Sequence, residues 1–241
     1  MAEALFDNHR TLRAVIESVL EGRLGRSTIR DGAARLDLGC YAIFGGDAAS
    51  DAVPALVNDV VPPRELLVPD EQAWRDRLHE AYGERLEDRT MRTFATDGLD
   101  VERLRTLAGR VPAGFTVEPF TAATATQLDL SILPHALRVF DDAEHFADEG
   151  IGYGAFDDGT LACAATSYAV SSQRVEIAIA TKEEYRGKRL ARVTAAAMLA
   201  ECLGRGLTPD WSAANPISKH LAISLGYRPA ALCDIIYLER P

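Results

Sequence analysis

Arg186-Gly187-Lys188-Arg189-Leu190-Ala191 lies between an apolar alternating stretch, 175–181, and a long alanine-rich segment that starts at Leu190. The reading of this hexapeptide decides the fold. Residues 175–181 (Val-Glu-Ile-Ala-Ile-Ala-Thr) alternate in the manner of a strand. Residues 188–203 are apolar on nearly every side, through Leu190, Val193, Met198, Leu199, Cys202, Leu203 and the alanines 195–197, so they read as a buried helix packed close against a sheet. A tight loop between such a strand and such a helix leaves backbone N–H groups without intrahelical partners and presents the positive end of the helix dipole. That geometry receives an anion. Arg186, Lys188, Arg189 and Arg192 place four cations within seven residues of an otherwise acidic chain, which suits a multiply charged small anion, although a solvated helix face would carry them equally well.

Outward from this point the pattern is consistent. Stretches 152–157, 161–170 and 175–181, joined through the turn Asp157-Asp158-Gly159, form an antiparallel meander. After the helix come a strand at 208–212, a helix at 216–225 and a strand at 231–238, while 115–120 reads as a strand and 122–130, 134–140 and 141–149 as helices. Val111-Pro112-Ala113-Gly114 interrupts the chain. Before it lie a helix at 8–20, strands at 35–44 and 64–68, a helix to 82 capped by Asp70, a strand at 89–96 and a helix at 100–110. The fold class is therefore α+β: residues 113–241 form a mixed, mostly antiparallel sheet flanked by helices, preceded by a smaller α/β domain over 1–112.

Composition narrows the function. The chain has 241 residues, 47% apolar, and a net charge of −10 that is shared by both halves, so neither is a basic arm for nucleic acid. No apolar run approaches a membrane span and no basic leader opens the chain, which gives a cytoplasmic, membrane-free expectation. Cys40, Cys163, Cys202 and Cys233 are scattered among apolar neighbours, as reduced thiols are, and no metal site is implied. There is neither a Gly-x-x-x-x-Gly-Lys-Ser/Thr loop nor a Gly-x-Gly-x-x-Gly turn for a nucleotide, and no Gly-x-Ser-x-Gly elbow for a hydrolase.

The stretch 175–191 resembles motif A of the GNAT N-acetyltransferase superfamily, Gln/Arg-x-x-Gly-x-Gly/Ala, with Arg186 and Ala191 in place and Arg189 where the central glycine is expected. Residues 211–227, with Trp211, Asn215 and Gly226-Tyr227, are similar to the superfamily's closing segment. The resemblance covers about 113–241. Taken whole, the chain resembles a subgroup, related to antibiotic self-resistance acetyltransferases, with an extra N-terminal α/β region.

This resemblance implies acetyl-CoA as co-substrate. Arg186, Gly187, Lys188, Arg189, Leu190 and Ala191 would cradle its pyrophosphate, the backbone of Ile177, Ile179 and Thr181 would bond its pantetheine arm, and Asn215 would lie beside that arm. Asn215-Pro216 is also a sound helix cap in its own right. The implied reaction is direct attack by a primary amine of a small acceptor, with Glu176 as proton acceptor, though Glu176 is equally readable as a solvent-facing strand residue. Ala222 stands where many of these enzymes carry a tyrosine that protonates the leaving thiolate. Ser218 or His220 would then substitute, His220 reading otherwise as a surface residue, or the thiolate leaves without a side-chain acid. A catalytically weak acyl-CoA sensor is the alternative. The N-terminal region would contribute to the acceptor site or to a homodimer contact.

Overall fold

The computed structural model describes residues 2–69, 71–128 and 139–240. The expected cap Asp70, the end of the expected helix 122–130 and most of the expected helix 134–140 lie outside them. In chain order the elements before the Pro112 break are α1 (Arg13–Leu20), β1 (Arg26–Arg30), β2 (Ala33–Leu38), β3 (Tyr41–Gly46), α2 (Val53–Asn58), β4 (Arg64–Leu67), α3 (Gln72–Tyr82), β5 (Leu86–Ala95) and α4 (Val101–Ala108). After it come β6 (Phe115–Pro119), α5 (Ala122–Ala125), α6 (Ala143–Glu149), β7 (Gly152–Asp157), β8 (Thr160–Val170), β9 (Arg174–Thr181), α7 (Leu190–Gly204), β10 (Thr208–Asp210), β11 (Ser212–Ala213), α8 (Pro216–Leu225) and β12 (Arg228–Leu238).

These strands make two sheets, ordered β1-β2-β3-β4-β12-β5-β11 and β10-β9-β8-β7-β6. The meander expected at 152–181 is the antiparallel β7-β8-β9 core of the smaller sheet. The last strand, β12, crosses back over the Pro112 break and inserts between β4 and β5, so both halves of the sequence share the larger sheet. The expected strand 208–212 divides. β10 pairs parallel with β9 (Asp210 opposite Glu176), Trp211 turns the corner, and β11 pairs antiparallel with β5. The expected strand 35–44 is a hairpin, because Gly39 adopts a φ of 54° and reverses the chain between β2 and β3. Beyond Gly39 the apolar residues continue from Cys40 to Phe44, which hides the reversal from a periodicity reading.

α1 and the facing surfaces of both sheets bury a shared core that includes Val15, Ile16, Leu36, Ile43, Leu67, Met91, Ile235 and Ala164. Tyr168 ties the two sheets: its hydroxyl accepts the Cys40 N–H at 2.9 Å and donates to the Leu38 carbonyl at 3.1 Å. A Cβ at position 39 would collide with that hydroxyl. On the far side of the smaller sheet, α7 buries Ala195, Ala196 and Leu199 against Leu104, Leu107, Trp211 and Tyr227, and Met198 and Cys202 against Val175. Alanines at the contact let the helix lie close, so the loop ahead of it is anchored at its base by Leu190, 1% exposed.

Candidate acyl-CoA site

β9 has a neighbour on both sides only at its start. β10 covers residues 174–176, and from 177 onward that edge pairs with no strand among the described residues. On the other side, Lys182 N–H donates to Ala162 O at 2.9 Å, and the register runs Ala180 to Ala164 and Ala178 to Thr166. Alternate residues of an antiparallel pair exchange both bonds, so Ala178 and Ala180 face β8 while the N–H and C=O of Ile177, Ile179 and Thr181 point into the open wedge. Their side chains pack elsewhere, Ile177 and Ile179 beside α7 and Thr181 Oγ1 on Cys163 Sγ at 3.2 Å. Past the corner at Trp211, β11 leads to β5 in the larger sheet. β11 covers only its residues 92–93, and a groove of about 600 Å³ follows its free stretch, lined by Glu87, Asp88, Arg89, Thr90, Arg75, Asp234 and Ala214.

The wedge ends at the start of α7. Gly187 has a φ of 79°, with open space where a Cβ would stand, and Arg189, the residue before the first turn of α7, has a φ of 64°. Arg189 therefore occupies the left-handed conformation that the central glycine of the pattern would adopt without cost, at a penalty of about 1 kcal/mol. Arg186, Gly187, Lys188 and Arg189 are all exposed, whereas Ala191 and Arg192 are half-buried. Among the described residues Arg186 makes only a 3.9 Å ion pair with Glu183. The Lys188 ammonium stands 5.3 Å from the Phe115 ring and 5.0 Å from the Tyr185 ring, which fixes its charge beside the loop. Arg192 donates to the Ser224 carbonyl at 3.2 Å, tying the start of α7 to α8. Arg110 and Leu107, from the other side of the Pro112 break, join Pro112, Gly187, Lys188, Arg189, Arg192 and Val193 around a cleft of about 360 Å³. Periodicity assigns Arg110 only to the end of a helix; the packing of α4 on α7 brings it to the cleft. Arg189→Gly is expected to change urea stability by less than about 0.5 kcal/mol, since relief of the left-handed strain is offset by freedom gained in the unfolded chain. Its acetyl-CoA affinity, read by calorimetry, should stay within about threefold.

Glu176 is not a solvent-facing strand residue. It is 4% exposed, and its Oε2 has no hydrogen-bond partner among the described residues. Burial pushes its carboxyl up to about 8, the neighbouring Asp210 adds to the rise, and a hydrogen bond from Ser212 opposes it. A proton acceptor working near neutral pH needs such tuning. Asp210 and Ser212 sit in no motif; the division of one strand into β10 and β11 sets both against Glu176.

The α8 residues are placed differently. Asn215 caps the helix, its Oδ1 accepting the Ser218 N–H at 2.9 Å, and Pro216 follows in the first turn. The Ser218 hydroxyl accepts the Trp211 indole N–H at 3.0 Å. His220 is exposed, and Ala222 is fully buried in the core around α7.

A sequence profile of the GNAT acetyltransferase family matches residues 3–232. The chain belongs to this family. A GCN5-related N-acetyltransferase-like protein from Streptococcus suis superposes with a TM-score of 0.83 at 25% identity, over 98% of this chain and 96% of that one. A GCN5-related N-acetyltransferase from Kribbella flavida shares the fold at 18% identity and a TM-score of 0.63, over 97% of each chain. Among curated relatives, the uncharacterised N-acetyltransferase YdfB of Bacillus subtilis is 31% identical over 100 residues, 41% of this GNAT chain. The chain spans 38% of that relative's length. Among the described residues no helix is long and apolar enough to cross a membrane.

Proposed function

We propose that this GNAT chain transfers the acetyl group of acetyl-CoA to a primary amine of a small acceptor by direct attack. The observation that carries the reading is the wedge: the free backbone row of Ile177, Ile179 and Thr181 leads straight to a helix N-terminus ringed by Arg110, Lys188, Arg189 and Arg192. An extended amide-bearing arm matches the row, and a pyrophosphate matches the N–H groups and cations of the loop. Leu107, Pro112 and Val193 give the cleft an apolar floor for the nucleotide end.

In the reaction the amine nitrogen bonds to the thioester carbon and the C–S bond breaks. An amide of the β9 row stabilises the developing oxyanion, and Glu176 takes the amine proton. The thiolate takes its proton from solvent, because Ala222 offers none and the Ser218 hydroxyl, which accepts the Trp211 indole N–H, is a far weaker acid than the thiol it would have to protonate. The N-terminal half, 1–112, supplies the acceptor wall through β5 and its groove. The buried Ala222 also favours a second reading, an acyl-CoA-binding protein with slow turnover.

Calorimetric titration with acetyl-CoA tests the proposal. Saturable binding by the parent protein is expected, weakened about tenfold in Arg186→Glu by reversal of one exposed loop charge. Absence of binding by the parent removes both readings. Binding without acetylation of any member of a broad amine panel leaves only the second.

A further inference from the structure

Glu176 does not stand alone. In the parallel pair of β9 and β10 its register partner is Asp210. The Glu176 carboxyl is buried, the neighbouring Asp210 carboxyl is half-buried, and the two are held in opposite ways. Asp210 accepts the Arg174 guanidinium at 3.0 Å; burial raises its carboxyl, and Arg174, with the Ala14 amide in the first turn of α1, opposes that rise. Arg174 is anchored in turn by Glu17 of α1, 3.4 Å from its Nε, and the Ser171 hydroxyl donates to Glu17 at 2.9 Å. Arg13 completes the chain with a 3.8 Å contact to Glu17. Glu176, by contrast, has an oxygen with no partner. The other groups facing it are the Ser212 hydroxyl and the phenols of Tyr41 and Tyr227, both of which burial keeps well above the usual phenol range and therefore neutral.

One negative charge on such a pair goes to the carboxyl that has cationic and amide partners, and the other carboxyl keeps its proton. We propose that Asp210 is a positioning residue: its carboxylate, kept charged by Arg174 and the Ala14 amide, holds the proton on Glu176 and so sets when Glu176 can accept one from the acceptor amine. α1, from the far end of the chain, thereby governs the proton acceptor through Ala14 and the Glu17–Arg174 pair. This inference rests on the assignment of Glu176 in the proposed reaction.

The test is a pH titration of the Glu176 carboxyl carbon by NMR in the full-length protein labelled with ¹³C at glutamate side chains, with the resonance identified by its loss in Glu176→Gln. Asp210→Asn preserves the shape and an acceptor for Arg174 while removing the charge. Its Glu176 midpoint is expected to fall by about one pH unit, a tenfold change in proton affinity. Arg13→Gln, which touches only the outer end of the chain, serves as a control and should leave the midpoint within about 0.3 units. An unchanged midpoint in a folded Asp210→Asn overturns the inference, because burial alone then holds the proton. If Asp210→Asn fails to fold, Asp210→Ser, which removes the same charge with a smaller side chain, is titrated instead: the midpoint should fall likewise, and no change again overturns the inference. The assignment of Glu176 as proton acceptor fails separately, if Glu176→Gln acetylates as fast as the parent protein.

Discussion

Glu176→Gln is expected to gain on the parent protein, in folding stability, by on the order of 3 kcal/mol as pH rises from about 5 to about 8, and to lose about 10²–10³-fold in acetyl transfer. The sign follows from the direction of the shift. The folded carboxyl is pushed up to about 8 from an ordinary value of 4.5. Between those values the folded protein keeps a proton that the unfolded chain releases, so the contribution is complete below the lower value and is lost as pH rises through the upper one. Glutamine cannot ionise and escapes the loss. Its amide meets the same unpartnered surroundings at every pH, a constant cost of about 1–2 kcal/mol that cancels when the two proteins are compared across the range. Calorimetric melting of both at each pH reads the effect directly, and parallel curves would refute it. The rate loss should appear in kcat at unchanged acetyl-CoA affinity, since Glu176 lies on the face of β9 opposite the side chains that pack on α7.

The hexapeptide at 186–191 and the meander before it were legible because each is local. Alternation in 175–181 and the nearly all-apolar α7 fix a strand, a loop and a buried helix without reference to the rest of the chain. The resemblance names Ile177, Ile179 and Thr181 as one row, and the pairing with β8 leaves that row's backbone free. What was not legible depends on contacts between distant segments. Asp210 gains its role from a strand that changes sheets at Trp211, and Arg110 from the packing of α4 on α7. Neither leaves a periodic trace. The insertion of β12 between β4 and β5 is hidden likewise, since an apolar run shows that a strand exists but not which strands receive it. Glu176 is the intermediate case: alternation gives its face correctly, but only the facing sheet and α1 decide that this face is buried.

The double variant Arg110→Glu/Arg192→Glu is expected to weaken acetyl-CoA binding about 100-fold, with the loss shrinking as salt is added. Both guanidiniums line the cleft with Lys188 and Arg189, and reversing two of four cations turns its field from attraction to near neutrality. The single variants separate two contributions. Arg192 also holds the Ser224 carbonyl, so its reversal loosens α8 against α7 and should lower the melting temperature along with affinity. Arg110 is exposed at the end of α4. Its reversal should leave melting unchanged and cost about tenfold in affinity, less toward a CoA analogue lacking the nucleotide 3′-phosphate. Because Arg110 precedes the Pro112 break, that loss would place the N-terminal half in the cofactor cleft as well as on the acceptor side. Equal affinity in the parent and Arg110→Glu would confine the cofactor to the loop and α7.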